Sequence, residues 1–215
     1  MIEGKTVNLR SLEIEDLKIL KKWRNDKSNR IHTREFRLLN MINQKHWFES
    51  IHKDNPPKFI MFGITDKRKK LIGVCGLTYI DWKNKHAEIS IIIFKKNWQL
   101  LKEGKNTITL LTDYGFGELN LHRLWVEIFE TIPANIKFFE RMNFKKEGEL
   151  RDKLWRNKKW HNSFIYSKLI TETVEPKTTI SFFSNLVTSM TFAFAIKLFI
   201  SIILPSILDC SSFAA

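Results

Sequence analysis

The chain has 215 residues, enough for one ordinary domain plus an extension, and its 43% apolar content with 17 Phe and 7 Trp excludes a disordered body. Its two cysteines, Cys75 and Cys210, lie far apart without a CxxC spacing or a disulfide framework, which points to a reducing compartment and no structural zinc. The formal charge of +13, made up of +14 before residue 171 and −1 after it, suits an anionic partner or a solvated basic surface, but no nucleic-acid-binding motif accompanies it and no nucleic-acid partner is expected.

The first five residues lack the apolar stretch of a secretory signal, so a cytoplasmic protein is expected. Residues 7–10 read as a short strand. Residues 13–22 carry apolar positions at helical spacing behind an acidic first turn. A second helix fits residues 43–53, with Ile42, Trp47, Phe48 and Ile51 on one face, and Asn55-Pro56-Pro57 ends it. Residues 59–64 and 71–80 form a strand pair around the charged turn at 66–70. In the strand at 86–94, Glu88 and Ser90 share one face while Ile89, Ile91 and Ile93 share the other. A helix follows over 104–118, then a strand over 123–129. The last helix covers 133–142, with Pro133 in its first turn, and strands at 144–150 and 162–169 close the body. Strands and helices in this order predict a mixed α/β or α+β domain around one sheet.

Several local patterns recur in a fixed order: Ile72-Gly73-Val74-Cys75-Gly76-Leu77, Ile80-Asp81-Trp82-Lys83-Asn84, Ala87-Glu88-Ile89, Asp113-Tyr114-Gly115-Phe116, Leu119-Asn120-Leu121-His122-Arg123, and Phe144 to Asp152. Together they resemble the GNAT superfamily of acetyltransferases, in the branch of ribosomal-protein N-terminal, spermidine and amino-sugar enzymes. The resemblance covers residues 1–170 as an N-acetyltransferase domain. It implies a mostly antiparallel sheet in which two parallel strands, here 86–94 and 123–130, splay apart to hold acetyl-CoA. It places the pyrophosphate at the start of the intervening helix, with Gln99, Lys102, Gly104 and Lys105 around it and Asn135 on the cofactor from the next helix.

The resemblance also assigns Glu88 as the base that makes an acceptor amine neutral, and a backbone N–H near residues 92–94 as the oxyanion donor. Trp23-Arg24-Asn25 resembles a pattern of amino-sugar acetyltransferases, with Arg24 on a sugar nucleotide's phosphates and Asn25 on a hydroxyl. Without that resemblance the same residues read as a core Trp and a helix-terminating Asn. Four positions depart from the family pattern: Lys102 stands at a Gly, Ile132 at an Asn, Phe139 at a Tyr that protonates the leaving thiolate, and Asn143 at a Gly. A basic body suits a sugar nucleotide or an acidic protein segment better than spermidine. The implied acceptor is thus a small-molecule primary amine, an amino-sugar nucleotide first, or a protein N-terminal α-amine. The departures leave a non-enzymatic binding module as the alternative.

Residues 171–215 stand outside the resemblance as an apolar tail. Residues 178–196 carry no charge, then Lys197 interrupts a run that continues to 208. A membrane-associated segment over 178–208, a helix buried at an oligomer contact such as a homodimer, and sequence added by altered reading of the gene all fit it.

Overall fold

The computed structural model describes residues 1–30 and 33–170; the tail and every reading placed on it lie outside the described residues. Among the described residues eight strands form one sheet: β1 (Ile2–Glu3), β2 (Val7–Ser11), β3 (Ile60–Asp66), β4 (Leu71–Asp81), β5 (His86–Ile93), β6 (Arg123–Phe129), β7 (Lys145–Arg156) and β8 (Lys159–Leu169). Their spatial order is β1-β2-β3-β4-β5-β6-β8-β7, and every neighbouring pair is antiparallel except β5 and β6. The helices are α1 (Leu17–Asn25), α2 (Lys27–Arg30), α3 (Met41–Ile51), α4 (Lys102–Asp113) and α5 (Pro133–Arg141).

Strand alternation sorts the helices between the two faces of the sheet. Ile64, Cys75, Leu77, Ile89 and Ile93 pack with Ile108 and Leu111 of α4 and with Phe138 and Phe139 of α5. The intervening positions Met61, Val74 and Ile92 pack instead with Leu17 and Leu20 of α1 and with Trp47 and Phe48 of α3. Glu88 has the parity of Ile92 and therefore faces the α1–α3 side, as the alternation in β5 predicts. Leu17, Leu20, Ile108 and Leu111 are almost wholly buried, each worth about 1.5–3 kcal/mol against exposure.

Element boundaries shift where side chains capture backbone groups. Residues 14–16 form a 3₁₀ turn rather than the start of the helix expected at 13, because the Asp16 carboxylate accepts the Glu13 N–H at 2.9 Å and both Arg10 amino groups at 2.7 and 2.8 Å. α3 begins two residues earlier than expected, at Met41. There Asn40 and Asn43 exchange side-chain and backbone hydrogen bonds at 2.9 and 3.0 Å in a reciprocal cap. α4 opens at Lys102 rather than 104, and its α-helical part ends at Asp113, where a π turn covers 114–118. β7 and β8 continue through 151–161, a charged stretch expected to be loop, because Asn157 and Lys158 adopt positive φ of 52° and 60° and close a two-residue hairpin turn. Asn143 also takes a left-handed φ of 62° just after α5, the conformation for which a Gly or Asn is suited.

Candidate active site

β5 and β6 pair only from His86 to Glu88 against Arg123 to Trp125, although both strands run on for several residues. Beyond Glu88 they diverge and leave a cleft of about 430 Å³. Ile89 to Ile92 line one wall and Val126 to Phe129 the other, with Ile132, Asn135 and Phe139 at the α5 side. This is the splay that the resemblance implies for strands 86–94 and 123–130. The β4–β5 ladder determines which backbone groups face it. Phe94 N–H bonds Ile72 O at 2.9 Å, so the alternation of an antiparallel ladder turns the Ile93 and Ile91 N–H groups toward the cleft. Within the expected span 92–94, Ile93 is therefore the residue whose N–H is available to an oxyanion.

Glu88 sits where the pairing stops and is 4% exposed. It is not alone. Arg34, from the irregular segment between α2 and α3, donates to Glu88 Oε1 and Oε2 at 2.5 and 3.1 Å and to Glu127 Oε2 at 2.5 Å. Ser163 Oγ on β8 donates to Glu127 Oε1 at 2.6 Å. The carboxylates raise the Arg34 guanidinium above its ordinary pKa against the opposing effect of burial. Two buried carboxylates thus share one cation, and the cluster keeps a net negative charge at the cleft. A carboxylate offers about four lone-pair directions, so the two Arg34 contacts leave Glu88 able to accept a further proton or hydrogen bond. A bulge in β4 places Tyr79, at φ 51°, on the same cleft.

The residues expected around the cofactor fall into two groups. Gln99 Nε2 donates to Asn135 Oδ1 at 2.6 Å, which brings together two of them across the approach to α4 and the start of α5. Lys102 and Lys105 project exposed from the first turn of α4. Leu101 occupies the N-cap without a capping side chain, and among the first-turn N–H groups that of Glu103 is taken by its own carboxylate. Lys95 pairs with Glu103 at 2.7 Å and offsets the acid there. Gly104 plays another part: a Cβ there would lie 2.5 Å from Trp98 O and 2.8 Å from its ring. Its close approach is to Trp98, which in turn meets Phe138 edge to face. Phe139 is buried among Phe138 and Phe144 and lines the cleft without any proton to give. The described residues fit a thioester cofactor whose phosphates reach the α4 terminus and whose acyl end enters the splay.

Of the expected acceptor residues, only Arg24 lines the cleft. Trp23 stacks on Phe94 at 4.1 Å, and Asn25 exchanges two 2.8 Å hydrogen bonds with the Leu39 backbone, so both are spent on packing outside the cleft lining. Arg34 and Glu127 escaped the sequence reading. The parity of β6 was the available signal, since Glu127 lies one strand period beyond Trp125, the residue paired with Glu88.

A sheet split between one parallel pair, with a helix between the splayed strands, is the arrangement that the resemblance implies for an acetyltransferase of this superfamily. The family model for the acetyltransferase (GNAT) domain matches residues 9–165, and the chain belongs to that family, whose acyl donor is acetyl-CoA. An uncharacterized N-acetyltransferase p20 of Bacillus licheniformis is 34% identical over 41% of this chain, a match spanning about half (49%) of that relative. The spermidine N(1)-acetyltransferase of Vibrio cholerae is 27% identical over 73% of this chain and 88% of its own length. A solved structure of the Vibrio cholerae spermidine N-acetyltransferase with CoA and spermine superposes with a TM-score of 0.71 at 24% identity, covering 77% of this chain and 96% of the other. The fold class and the cofactor implied by the sequence stand.

Proposed function

We propose that this domain moves the acetyl group of acetyl-CoA directly to a primary amine positioned at Glu88, with no acyl-enzyme intermediate. The observation that carries the reading is a buried carboxylate, Glu88, at the point where β5 and β6 part and backbone N–H groups turn into the cleft. An ammonium has no lone pair, so acceptance of the acetyl group requires loss of a proton. Glu88 takes it directly or through one water, while Arg34 and Glu127 hold its orientation. The amine nitrogen then bonds to the thioester carbon and the C–S bond breaks, giving an N-acetyl product and the CoA thiol. The Ile93 N–H meets the carbonyl oxygen as it gains charge. Phe139 cannot donate, so the departing sulfur takes its proton from water or from the acid form of Glu88.

The spermidine acetyltransferases among the relatives support a small-molecule acceptor. They do not single out an amino-sugar nucleotide, the acceptor that the Trp23-Arg24-Asn25 pattern suggests, and a protein N-terminal amine is the remaining reading. Full-length protein mixed with acetyl-CoA and a panel of primary amines should release free thiol in proportion to N-acetyl product. Failure to bind acetyl-CoA at millimolar concentration in a calorimetric titration would leave only a non-enzymatic module.

A further inference from the structure

The cleft is not the only space that opens on Glu88. A second cavity, of about 470 Å³, shares the cluster of Glu88, Arg34 and Glu127 with it. The two run in opposite directions along the β5–β6 pair. The cleft follows β5 from Glu88 toward Ile92, where the strands have parted, and the second cavity lies toward Trp125, where they are still paired. Two reactants can thus meet at Glu88 from opposite sides, a thioester through the first space and an amine through the second.

The walls of the second cavity come from the strands on either side of Glu88. Trp125 on β6 is the register partner of Glu88 and shares its face of the sheet. Thr78 on β4 is the partner on the other side, and the bulge that follows it delivers Tyr79. Tyr79 holds a φ of 51°, a left-handed conformation that a bulky residue adopts only at a cost. Burial does not offset that cost. The residue is 57% exposed, and its ring meets Phe59 only edge-on at 5.4 Å. Among the described residues no ring contact joins Tyr79 to Trp125, so the space between them is left to a third group.

The rest of the lining decides what that group can be. Phe129 and Leu154 are buried and apolar, so sugar hydroxyls would find few partners beyond the Tyr79 hydroxyl and Lys153. Lys153 is exposed and, among the described residues, makes no hydrogen bond or ion pair. A second ammonium is repelled there, which disfavours a polyamine. A planar apolar ring satisfies these surfaces together. Its faces and edges meet aromatic side chains, while its amine reaches the net negative charge that Glu88 and Glu127 keep around Arg34.

We propose that this second cavity is the acceptor subsite, walled by Tyr79 and Trp125, and that the acceptor is a primary aliphatic amine that also bears an aromatic ring. The proposal rests on the acetyltransferase reading above and narrows its acceptor class.

The test uses the full chain with phenethylamine, cyclohexylethylamine, glucosamine and 1,5-diaminopentane. Thiol release gives kcat and KM for each, and calorimetry gives the acetyl-CoA Kd on the same preparations. Phenethylamine should exceed glucosamine and the diamine in kcat/KM by about tenfold, and its saturated analogue by about threefold. Trp125→Leu should bring phenethylamine within about threefold of the diamine through KM, with kcat and acetyl-CoA affinity each within about twofold. Tyr79→Asn should have the same effect, and because Asn accepts the left-handed φ, the melting temperature should hold or rise. A Tyr79 retained for packing alone would lower it. Lys153→Glu should improve the diamine about threefold relative to phenethylamine. Bound cofactor without turnover of phenethylamine, an equally good diamine or glucosamine, a ring preference surviving both Tyr79→Asn and Trp125→Leu, or variants impaired instead in acetyl-CoA binding each overturns the subsite. Failure of the unmodified chain to bind acetyl-CoA would instead fail the underlying acetyltransferase reading.

Discussion

Glu88→Gln separates a catalytic carboxylate from a structural one. The amide keeps the size and one acceptor oxygen, so one hydrogen bond from Arg34 survives, while the second oxygen becomes a donor facing Arg34. Arg34 remains paired with Glu127 at 2.5 Å and its side chain is 47% exposed, so the substitution does not strand a buried charge. The expected loss of stability is that of one charge-assisted hydrogen bond, about 1.5–3 kcal/mol. The loss in rate should be larger. A positioned general base contributes roughly 10²–10⁴-fold, equivalent to about 3–5 kcal/mol of transition-state stabilisation. Steady-state thiol release at saturating acetyl-CoA measures it, with calorimetry confirming an unchanged cofactor affinity. The kcat of the variant should recover toward high pH, where the free amine forms without help. A kcat within threefold of the unmodified protein near neutral pH would remove Glu88 from the mechanism and leave its burial a structural fact alone.

Other substitutions probe the supports of the site. Arg34→Ala leaves Glu88 and Glu127 without their shared cation and should lower stability by about 3–5 kcal/mol in denaturant titration. Adding Glu127→Gln to it should recover part of that loss; strict additivity would show that the two carboxylates do not share the cation. Gly104→Ala pushes a methyl group against Trp98 and should cost about 1–3 kcal/mol, read as a lowered melting temperature. Arg37 hydrogen bonds hold the Glu35 carboxyl at about 2, below its ordinary value of 4.5. The stabilisation this gives is complete above the ordinary value and is lost as pH falls toward about 2, so Arg37→Ala should flatten the stability profile between pH 4.5 and 2.

How much of this was legible in the chain depended on how local each feature is. The parity of β5 is a property of eight adjacent residues, so the face of Glu88 could be read directly from alternation. Gln99 and Asn135 came from the family pattern, and the structure joins them with one hydrogen bond. The Arg34 cluster could not be read in that way. Its partners lie 54 and 93 residues away, and Arg34 itself sits in an irregular segment without periodicity. Both closing strands are legible, but their extension through 151–161 is not, because no glycine announces the turn; Asn157 and Lys158 accept positive φ instead. The Trp23-Arg24-Asn25 pattern was read as one unit, yet packing divides it. Trp23 and Asn25 are spent on Phe94 and Leu39, and only Arg24 reaches the cleft.

The most direct test of an acetyl-CoA cleft between β5 and β6 is amide hydrogen exchange of the full chain with and without acetyl-CoA. Bound cofactor should slow exchange at Ile91 and Ile93 on the unpaired edge of β5 and at Lys102 to Gly104 in the first turn of α4, with little change in β2 or β3. Saturating acetyl-CoA that leaves those amides unchanged, or protects a different surface, would contradict the cleft as the cofactor site.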